Sequence, residues 1–193
     1  FAQANLGHEW KYGGSDYQDR YSPGYIRAVN IGAQAGTIPN VLGGVTGVSK
    51  NSDEEIRLTR SALSLLLPHE VFPYSRVHYP TAVGIRQILQ PFLLKEDVSA
   101  HPYWENDGVV DSAEQLLVTS YQHKQRVMLV VGNQGDEGNF EITLHPKNFG
   151  RKGHVVQATN AETGDTVTVK ANQLDVHLDR HDVMLVDVRL SSG

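Results

Sequence analysis

A carboxyl group stands beside an imidazole and two aromatic rings near the start of the chain. The residues of this cluster are His8, Glu9, Trp10, Tyr12 and Asp16. An apolar wall raises the pKa of a carboxyl group toward that of a general acid, and aromatic faces pack against the apolar face of a pyranose ring. The composition is typical of a sugar site in which Glu9 is catalytic and the other four residues bind substrate. The alternative is a polar surface loop whose aromatic rings pack on the fold.

A second carboxyl group lies in a similar setting further along the chain. Glu70 follows His69 in a short predicted strand, His69–Phe72, with aromatic and basic residues just after it. Here Glu70 is the second candidate for catalysis, and His69 is a candidate for substrate binding. Because buried carboxylates are usually paired, the alternative is a structural Glu70 that pairs with Arg60 or Arg76.

Two large aromatic residues, Tyr103 and Trp104, follow the last predicted helix of the first half. They are candidates for one wall of a substrate cleft. The alternative is an apolar plug between two parts of the fold, which the large burial of such side chains at interfaces favours.

Several classes of function are excluded by composition. The net charge is −5, from 17 basic and 22 acidic residues, and no basic tract suits a nucleic acid. The chain has no cysteine, and its 9 histidines show no metal-ligand spacing, so no metal site is predicted. Phosphate-binding loops and nucleophile elbows are also missing, and no cofactor is predicted. No apolar run reaches the roughly 20 residues that span a bilayer.

The first part of the chain alternates between helices and short apolar strands. The predicted order is a helix from Ser22-Pro23, a strand at Ile38–Leu42, a helix from Ser52 with Glu55 completing a capping box, the strand His69–Phe72, and a helix from Tyr79 that Pro91 bends or ends. This alternation predicts βα units around a parallel sheet. A complete barrel of such units needs roughly 250 residues, so residues 1–110 supply only its last portion.

The pattern changes after Gly108. Seven short β-type runs, separated by turn residues, predict an antiparallel β-sandwich over residues 111–193. The runs are Leu116–Tyr121, Val127–Asn133, Phe140–Leu144, His154–Ala158, Thr166–Lys170, Gln173–Leu178 and Val183–Leu190. The continuous aliphatic stretch Met128–Val131 predicts a central strand.

Both halves resemble parts of known carbohydrate-active proteins. The second half is similar to the C-terminal β-sandwich that follows many retaining and inverting glycosidase barrels, through LVTSY at Leu117–Tyr121, RVMLVVGN at Arg126–Asn133, ATNAETG at Ala158–Gly164 and DVMLV at Asp182–Val186. The first half resembles the closing βα units of glycoside-hydrolase-like proteins, through YIRAVN at Tyr25–Asn30, GTIPNVLGG at Gly36–Gly44 and TRSALSLLLPHE at Thr59–Glu70.

The resemblance implies an α/β plus all-β chain, formed by the last βα units of a (β/α)8-type barrel and an antiparallel β-sandwich. It also implies hydrolysis of O-glycosyl bonds in a polysaccharide or glycoconjugate, which requires two carboxyl groups flanking the scissile bond. The front of such a barrel is missing from this sequence. We therefore expect another polypeptide, or an N-terminal part of a longer protein, to complete the barrel, and the catalytic carboxylates can lie there.

Two non-catalytic functions remain open at this point. The protein could be a secreted structural subunit of the same architecture, or a carbohydrate-binding module with an exposed aromatic row on its β-sandwich. The second half offers only Tyr121, Phe140 and Phe149 for such a row. The first residues do not form a signal peptide. Similar proteins are commonly exported, so a secreted or periplasmic location is expected.

Overall fold

Three parallel strands form the first sheet of the computed structural model. The structure describes residues 3–9, 12–13, 16–31, 37–42, 44–73, 76–106, 108–150 and 153–191. The strands are β1 (Gln3–Glu9), β3 (Thr37–Leu42) and β5 (Phe72–Pro73), in the order β1-β3-β5. A second parallel pair, β2 (Tyr12–Gly13) and β4 (Val45–Thr46), joins the segments that follow β1 and β3. Strand β1 was not expected, because its polar sequence lacks the apolar run typical of parallel strands.

Helices separate the parallel strands, as the sequence predicts. Helix α1 (Pro23–Ile26) continues into a π-helical turn, Arg27–Ile31, while α2 spans Asp53–Leu66 and α3 spans Tyr79–Leu93. The Ser22 and Ser52 hydroxyls accept hydrogen bonds from Tyr25 N and Glu55 N, each at 3.2 Å, so both predicted helix starts are confirmed. Pro91 does not end α3, which continues to Leu93 because only one hydrogen bond is lost so near its end.

A nine-stranded antiparallel sheet forms the rest of the fold. All seven predicted runs are strands, and two short strands complete the edges. The strands are β6 (Ser99–His101), β7 (Val110–Asp111), β8 (Leu116–His123), β9 (Arg126–Asn133), β10 (Gly138–Leu144), β11 (Val155–Asn160), β12 (Thr166–Lys170), β13 (Gln173–Leu178) and β14 (Val183–Leu190), in the spatial order β6-β8-β9-β14-β11-β12-β13-β10-β7.

The sheet curls around a single apolar core. Strand β12 makes the corner, since its first residues pair with β11 and its last residues pair with β13. Side chains from opposite ends of the sheet, such as Val118 and Ile142, therefore meet in one buried cluster. The hydrogen bonding is continuous around this core, in the manner of a half-barrel, whereas the sequence predicts a sandwich. The sheet also includes β6 and β7. Both strands begin before residue 111, where the predicted β-sandwich starts.

Helices α2 and α3 cover the outer face of the sheet. Leu63 of α2 and Leu89 of α3 share a second apolar cluster with Met128 and Val130 of β9. Alternate residues of β9, such as Leu129, face the inner core instead. Strand β9 is thus buried on both faces, which explains its unbroken aliphatic run and confirms the predicted central strand.

The helices and the antiparallel sheet are joined by polar contacts as well. The Arg60 guanidinium on α2 lies 2.6 Å from the Asp182 carboxylate and 2.9 Å from that of Glu162. Gln134 Nε2, just after β9, donates a hydrogen bond to the Ser64 carbonyl of α2 at 3.0 Å. Among the described residues, every helix is too short or too polar to cross a membrane.

Candidate functional site

The first candidate cluster lies at the carboxyl ends of the parallel strands. Glu9 is the last residue of β1 and is level with Leu42, the last residue of β3. Tyr12 follows in β2, paired with Val45. Active sites of βα folds are built at this edge of the sheet, from loops that follow the strands. The structure gives the backbone of His8, Glu9 and Tyr12, while Trp10 lies outside the described residues.

The segment that follows this cluster is anchored by Tyr17. Its side chain is fully buried, and its hydroxyl accepts a hydrogen bond from Gly44 N at 2.9 Å. Its own N–H donates to Ser61 Oγ on α2 at 3.3 Å. Burial raises the pKa of Tyr17 to about 12, so the hydroxyl stays protonated and structural. Tyr17 thereby fixes the segments after β1 and β3 against α2.

Asp16 is the centre of a buried ionic cluster. Its side chain is 2% exposed, and its two oxygens contact Arg57 Nη1 at 2.6 Å, His181 Nδ1 at 2.7 Å and Arg180 Nη1 at 3.1 Å. Burial alone would raise the pKa of Asp16, but the hydrogen bonds from Arg57 and His181 outweigh it and lower this pKa. Both oxygens are occupied within the protein. The predicted role of Asp16 in substrate binding stays a prediction, and the geometry describes a structural anchor.

The Asp16 cluster connects distant parts of the chain. Arg57 belongs to α2, whereas Arg180 and His181 belong to the turn between β13 and β14. The antiparallel sheet therefore holds the segment after β1 in place, through the Asp16 carboxylate. Sequence analysis missed these partners, because no local pattern links residue 16 to a turn some 165 positions later.

The local structure around Glu70 differs from the predicted strand. Leu67–His69 is a 3-10 turn that extends α2, and Glu70 ends it in the left-handed region at φ 61°, so β5 begins only at Phe72. The predicted strand His69–Phe72 is therefore wrong over its first three residues. The proposed ion pair with Arg60 is also wrong, because Arg60 binds Glu162 and Asp182. Instead, the Glu70 carboxylate accepts a hydrogen bond from Tyr121 Oη at 3.0 Å.

Glu9 and Glu70 lie at different ends of their strands, since Glu9 ends β1 and Glu70 precedes β5. Phe72 pairs with Asn40, two residues before the level of Glu9 at Leu42, and Glu70 lies two residues before Phe72. The backbone of Phe72 is thus roughly 7 Å along the strands and about 10 Å across them from that of Glu9, and Glu70 lies before Phe72. The Glu70 carboxylate contacts Tyr121 of β8. Glycosidic hydrolysis requires carboxyl groups within about 9.5 Å of each other.

His69, Tyr103 and Trp104 form one packed cluster. His69 is fully buried, its Nδ1 donates to the Leu65 carbonyl at 2.6 Å, and its Nε2 contacts Tyr103 Oη at 2.8 Å. The indole of Trp104 stacks on the imidazole, with centroids 5.6 Å apart, and the Arg27 guanidinium covers the indole at 5.6 Å. Trp104 is half-buried, and it also lines an open cavity together with Arg27 and Glu105. The contacts of His69 with Tyr103 agree with an apolar plug, while the predicted place of Tyr103 and Trp104 in a cleft wall stays a prediction.

The buried imidazole makes stability depend on pH. Burial lowers the pKa of His69 to about 4. Since the unfolded pKa is about 6.5, the unfolded chain binds this proton first, and stability falls as pH drops below that value. We expect the free energy of unfolding to fall by about 2 kcal/mol between pH 7 and pH 5 from this residue alone. Urea unfolding of the wild-type chain and of the His69→Gln variant between pH 7 and pH 5 tests this expectation. If the free energy of unfolding depends on pH equally in both proteins, the expectation is contradicted.

One group of possible metal ligands lies elsewhere. Glu137, His177 and Asp179 place ligand atoms within 4.8 Å of one another on the surface. All three side chains are exposed, and exposed acidic groups are common without an ion, so this group of described residues carries no metal assignment. The prediction that no metal is bound stays a prediction.

Comparisons with known proteins give distant matches. No protein-family model matches the sequence, and no curated protein matches it significantly. The solved structures that match include a noncanonic maltogenic alpha-amylase, AmyB, from Thermotoga neapolitana, with 8% identity over 92% of this chain and 47% of that chain and a TM-score of 0.48. An alpha-amylase from Anoxybacillus has 13% identity over 82% of this chain and 30% of that chain, with a TM-score of 0.38.

A third match is a GH27 β-L-arabinopyranosidase from Geobacillus stearothermophilus. It shares 14% identity over 42% of this chain and 20% of that chain, with a TM-score of 0.34. The chain spans less than half the length of each of these three proteins.

Proposed function

We propose that this chain is the C-terminal portion of a carbohydrate-active, glycoside-hydrolase-like protein. The observation that carries the proposal is the strand order β1-β3-β5, in which each parallel strand pairs with the next one along the chain. Successive strands of a (β/α)8 barrel are adjacent in this order. The three strands and their helices are then the closing βα units of such a barrel.

The edges of the parallel sheet support the proposed completion by further strands. Within the described ranges, β1 and β5 each pair with β3 alone, so both have one unpaired side. Unpaired strand edges are sites of association with other strands. We propose that an N-terminal part of a longer protein, or another polypeptide, supplies these strands and closes the barrel.

The antiparallel sheet has a structural role in this proposal. Its corner at β12 is compatible with the two-layered C-terminal β-sandwich of glycosidases, in which one strand passes from one layer to the other. Its outer face packs on α2 and α3, and its β13–β14 turn holds Asp16. The sheet therefore stabilises the barrel portion and the segment that follows Glu9.

Glu9 is the residue that we assign to catalysis. It ends β1 at the carboxyl edge of the sheet, where barrel enzymes place their catalytic groups. His8, Trp10 and Tyr12 are proposed to line the carbohydrate substrate, and the second carboxyl group would come from a strand outside this chain. The reaction is hydrolysis of an O-glycosyl bond in a polysaccharide or glycoconjugate, and we propose a secreted or periplasmic location.

The test is hydrolysis by the complete protein and its Glu9→Gln variant. Release of reducing ends from a panel of soluble polysaccharides should fall at least a hundredfold in the variant, because a general acid or base contributes about 10²–10⁴ in rate. Glu114→Gln is the matched control, since Glu114 is exposed in the turn before β8. Unchanged activity in Glu9→Gln, or equal losses in both variants, would contradict the assignment.

A non-catalytic structural subunit is the second candidate. It is favoured by the separation of Glu9 from Glu70, which leaves a single candidate carboxyl group at the carboxyl edge of the described strands. Absence of hydrolysis by the complete protein on every polysaccharide would support it. A carbohydrate-binding module is less well supported, because Tyr121 and Phe149 are buried and unavailable for an aromatic row.

A further inference from the structure

A cavity opens between α3 and the antiparallel sheet. It has a volume of about 460 Å³ and is bounded by α3, the turn after it, β6, β8 and the turn before β5. Pockets for small molecules generally have volumes of about 300–1,000 Å³. Most of its wall is apolar, formed by Leu67, Phe72, Leu89, Leu93 and Val98.

Two carboxylates interrupt this apolar wall, and both are held by unusual backbone. Glu70 has φ 61° and Asp97 has φ 62°, a left-handed conformation that few residues other than glycine adopt. Such backbone persists where the surrounding structure imposes it, so the backbone of both residues is held in one conformation. Lys95 also lines the cavity, with its Nζ 4.7 Å from the centroid of the Phe92 ring. The lining therefore has two negative charges and one positive charge.

One oxygen of the Glu70 carboxylate is held by a hydrogen bond, and the other has no such bond to a residue that the structure describes. Among the described residues, its hydrogen-bond partner is Tyr121 Oη, which contacts Oε1 at 3.0 Å. Tyr121 is 3% exposed, and burial raises its pKa well above the ordinary value, so it remains a hydrogen-bond donor. The second oxygen, Oε2, is thus available to a donor on a ligand in the cavity.

We propose that this cavity binds a small organic ammonium ion with an apolar body. The ammonium group would donate to Glu70 Oε2, with Asp97 adding negative charge, while the body lies against the leucine side chains and Phe72. The polar groups lie beside the apolar wall and have a net negative charge, which matches an ammonium group joined to an apolar body. The site is independent of the proposed glycosidic activity, because it shares no residue with the Glu9 cluster.

Calorimetric titration of the complete protein with cyclohexylammonium at pH 7 tests the proposal, with cyclohexanol as the uncharged probe. We expect saturable millimolar binding of cyclohexylammonium and at least tenfold weaker binding of cyclohexanol. Glu70→Gln should weaken the ammonium complex about tenfold, since it removes the charge and keeps the shape. Glu96→Gln is the control and should bind like the wild type, since Glu96 lies in the same turn as Asp97 but outside the lining.

Three results would overturn the proposal. These are equal affinities for the two probes, unchanged affinity in Glu70→Gln, and absence of any saturable binding of cyclohexylammonium. If Glu70→Gln fails to fold, Asp97→Asn replaces it, with a smaller loss of affinity expected from the remaining carboxylate. Unchanged affinity in Asp97→Asn would then count against the site.

Discussion

Replacement of Asp16 by Ala is expected to lower the free energy of unfolding by about 3 kcal/mol, because it leaves the hydrogen-bond donors that contact this buried carboxylate without an acceptor. The carboxylate is 2% exposed and its partner His181 is 5% exposed, so the remaining imidazole stays in a site without water. The two arginines are about half exposed and keep much of their hydration, so they add little to this cost.

Asp19→Asn is the matched control for this prediction. Asp19 contacts the same Arg180 guanidinium at 3.2 Å, but its side chain is 45% exposed. Exposed ion pairs contribute at most about 1 kcal/mol, so the control should lose no more than that. Denaturant unfolding of the three proteins measures both effects. Equal losses in Asp16→Ala and Asp19→Asn would show that the buried cluster does not hold the two sheets together.

The same cluster makes the protein less stable as pH falls into the acid range. Because the pKa of Asp16 is lowered in the folded protein, the unfolded chain binds this proton first as pH falls. The stabilisation is therefore fully present above the unfolded pKa of about 3.9 and is lost as pH falls through the folded pKa. The variant Asp16→Asn should lack this part of the acid dependence below about pH 4.

Gly132→Ala is expected to cost about 3 kcal/mol, as overpacking of a closely packed interface. Gly132 lies on β9 where the end of α2 crosses it, and an added Cβ would stand 2.0 Å from the Ser64 carbonyl oxygen. That oxygen belongs to helix backbone, which cannot move away as a flexible side chain could. The helix would have to leave the sheet, and the Gln134 hydrogen bond to the same carbonyl would be lost with it.

Gly84→Ala is the control for Gly132→Ala. Gly84 lies within α3, and an added Cβ there meets nothing within 4 Å. Alanine is favoured over glycine in a helix by up to about 1 kcal/mol, so this variant should be as stable as the wild type or more stable. A loss in Gly132→Ala no larger than the effect of Gly84→Ala would contradict the close approach of α2 to β9.

Secondary structure with a strong local signal could be predicted from sequence. The seven strands after Gly108 are marked by short apolar runs between turn residues, and Ser22 and Ser52 mark helix starts through their hydroxyl groups. Strand β1 could not be found in this way, because its alternation is weak and polar. The continuous curl of the antiparallel sheet was also beyond prediction, since it depends on β12 pairing with different strands along its length.

The candidate site was predictable only in its residue types. Glu9 falls at the end of β1, and its catalytic role stays a prediction. The setting of Glu70 could not be read from its neighbours, because its left-handed backbone and its contact with Tyr121 depend on packing between segments 51 positions apart. The partners of Asp16 were hidden for the same reason, since charged residues far apart in sequence give no local pattern.

The native size of the protein tests the central claim most directly. Light scattering on the protein purified from its source gives the mass of the assembly, and denaturing electrophoresis with mass spectrometry gives the mass of each chain. If these βα units close a (β/α)8 barrel, the assembly must be far larger than the 21.3 kDa of this chain, either as one longer chain or with a stoichiometric partner. A monodisperse 21.3 kDa monomer that unfolds cooperatively would contradict the claim.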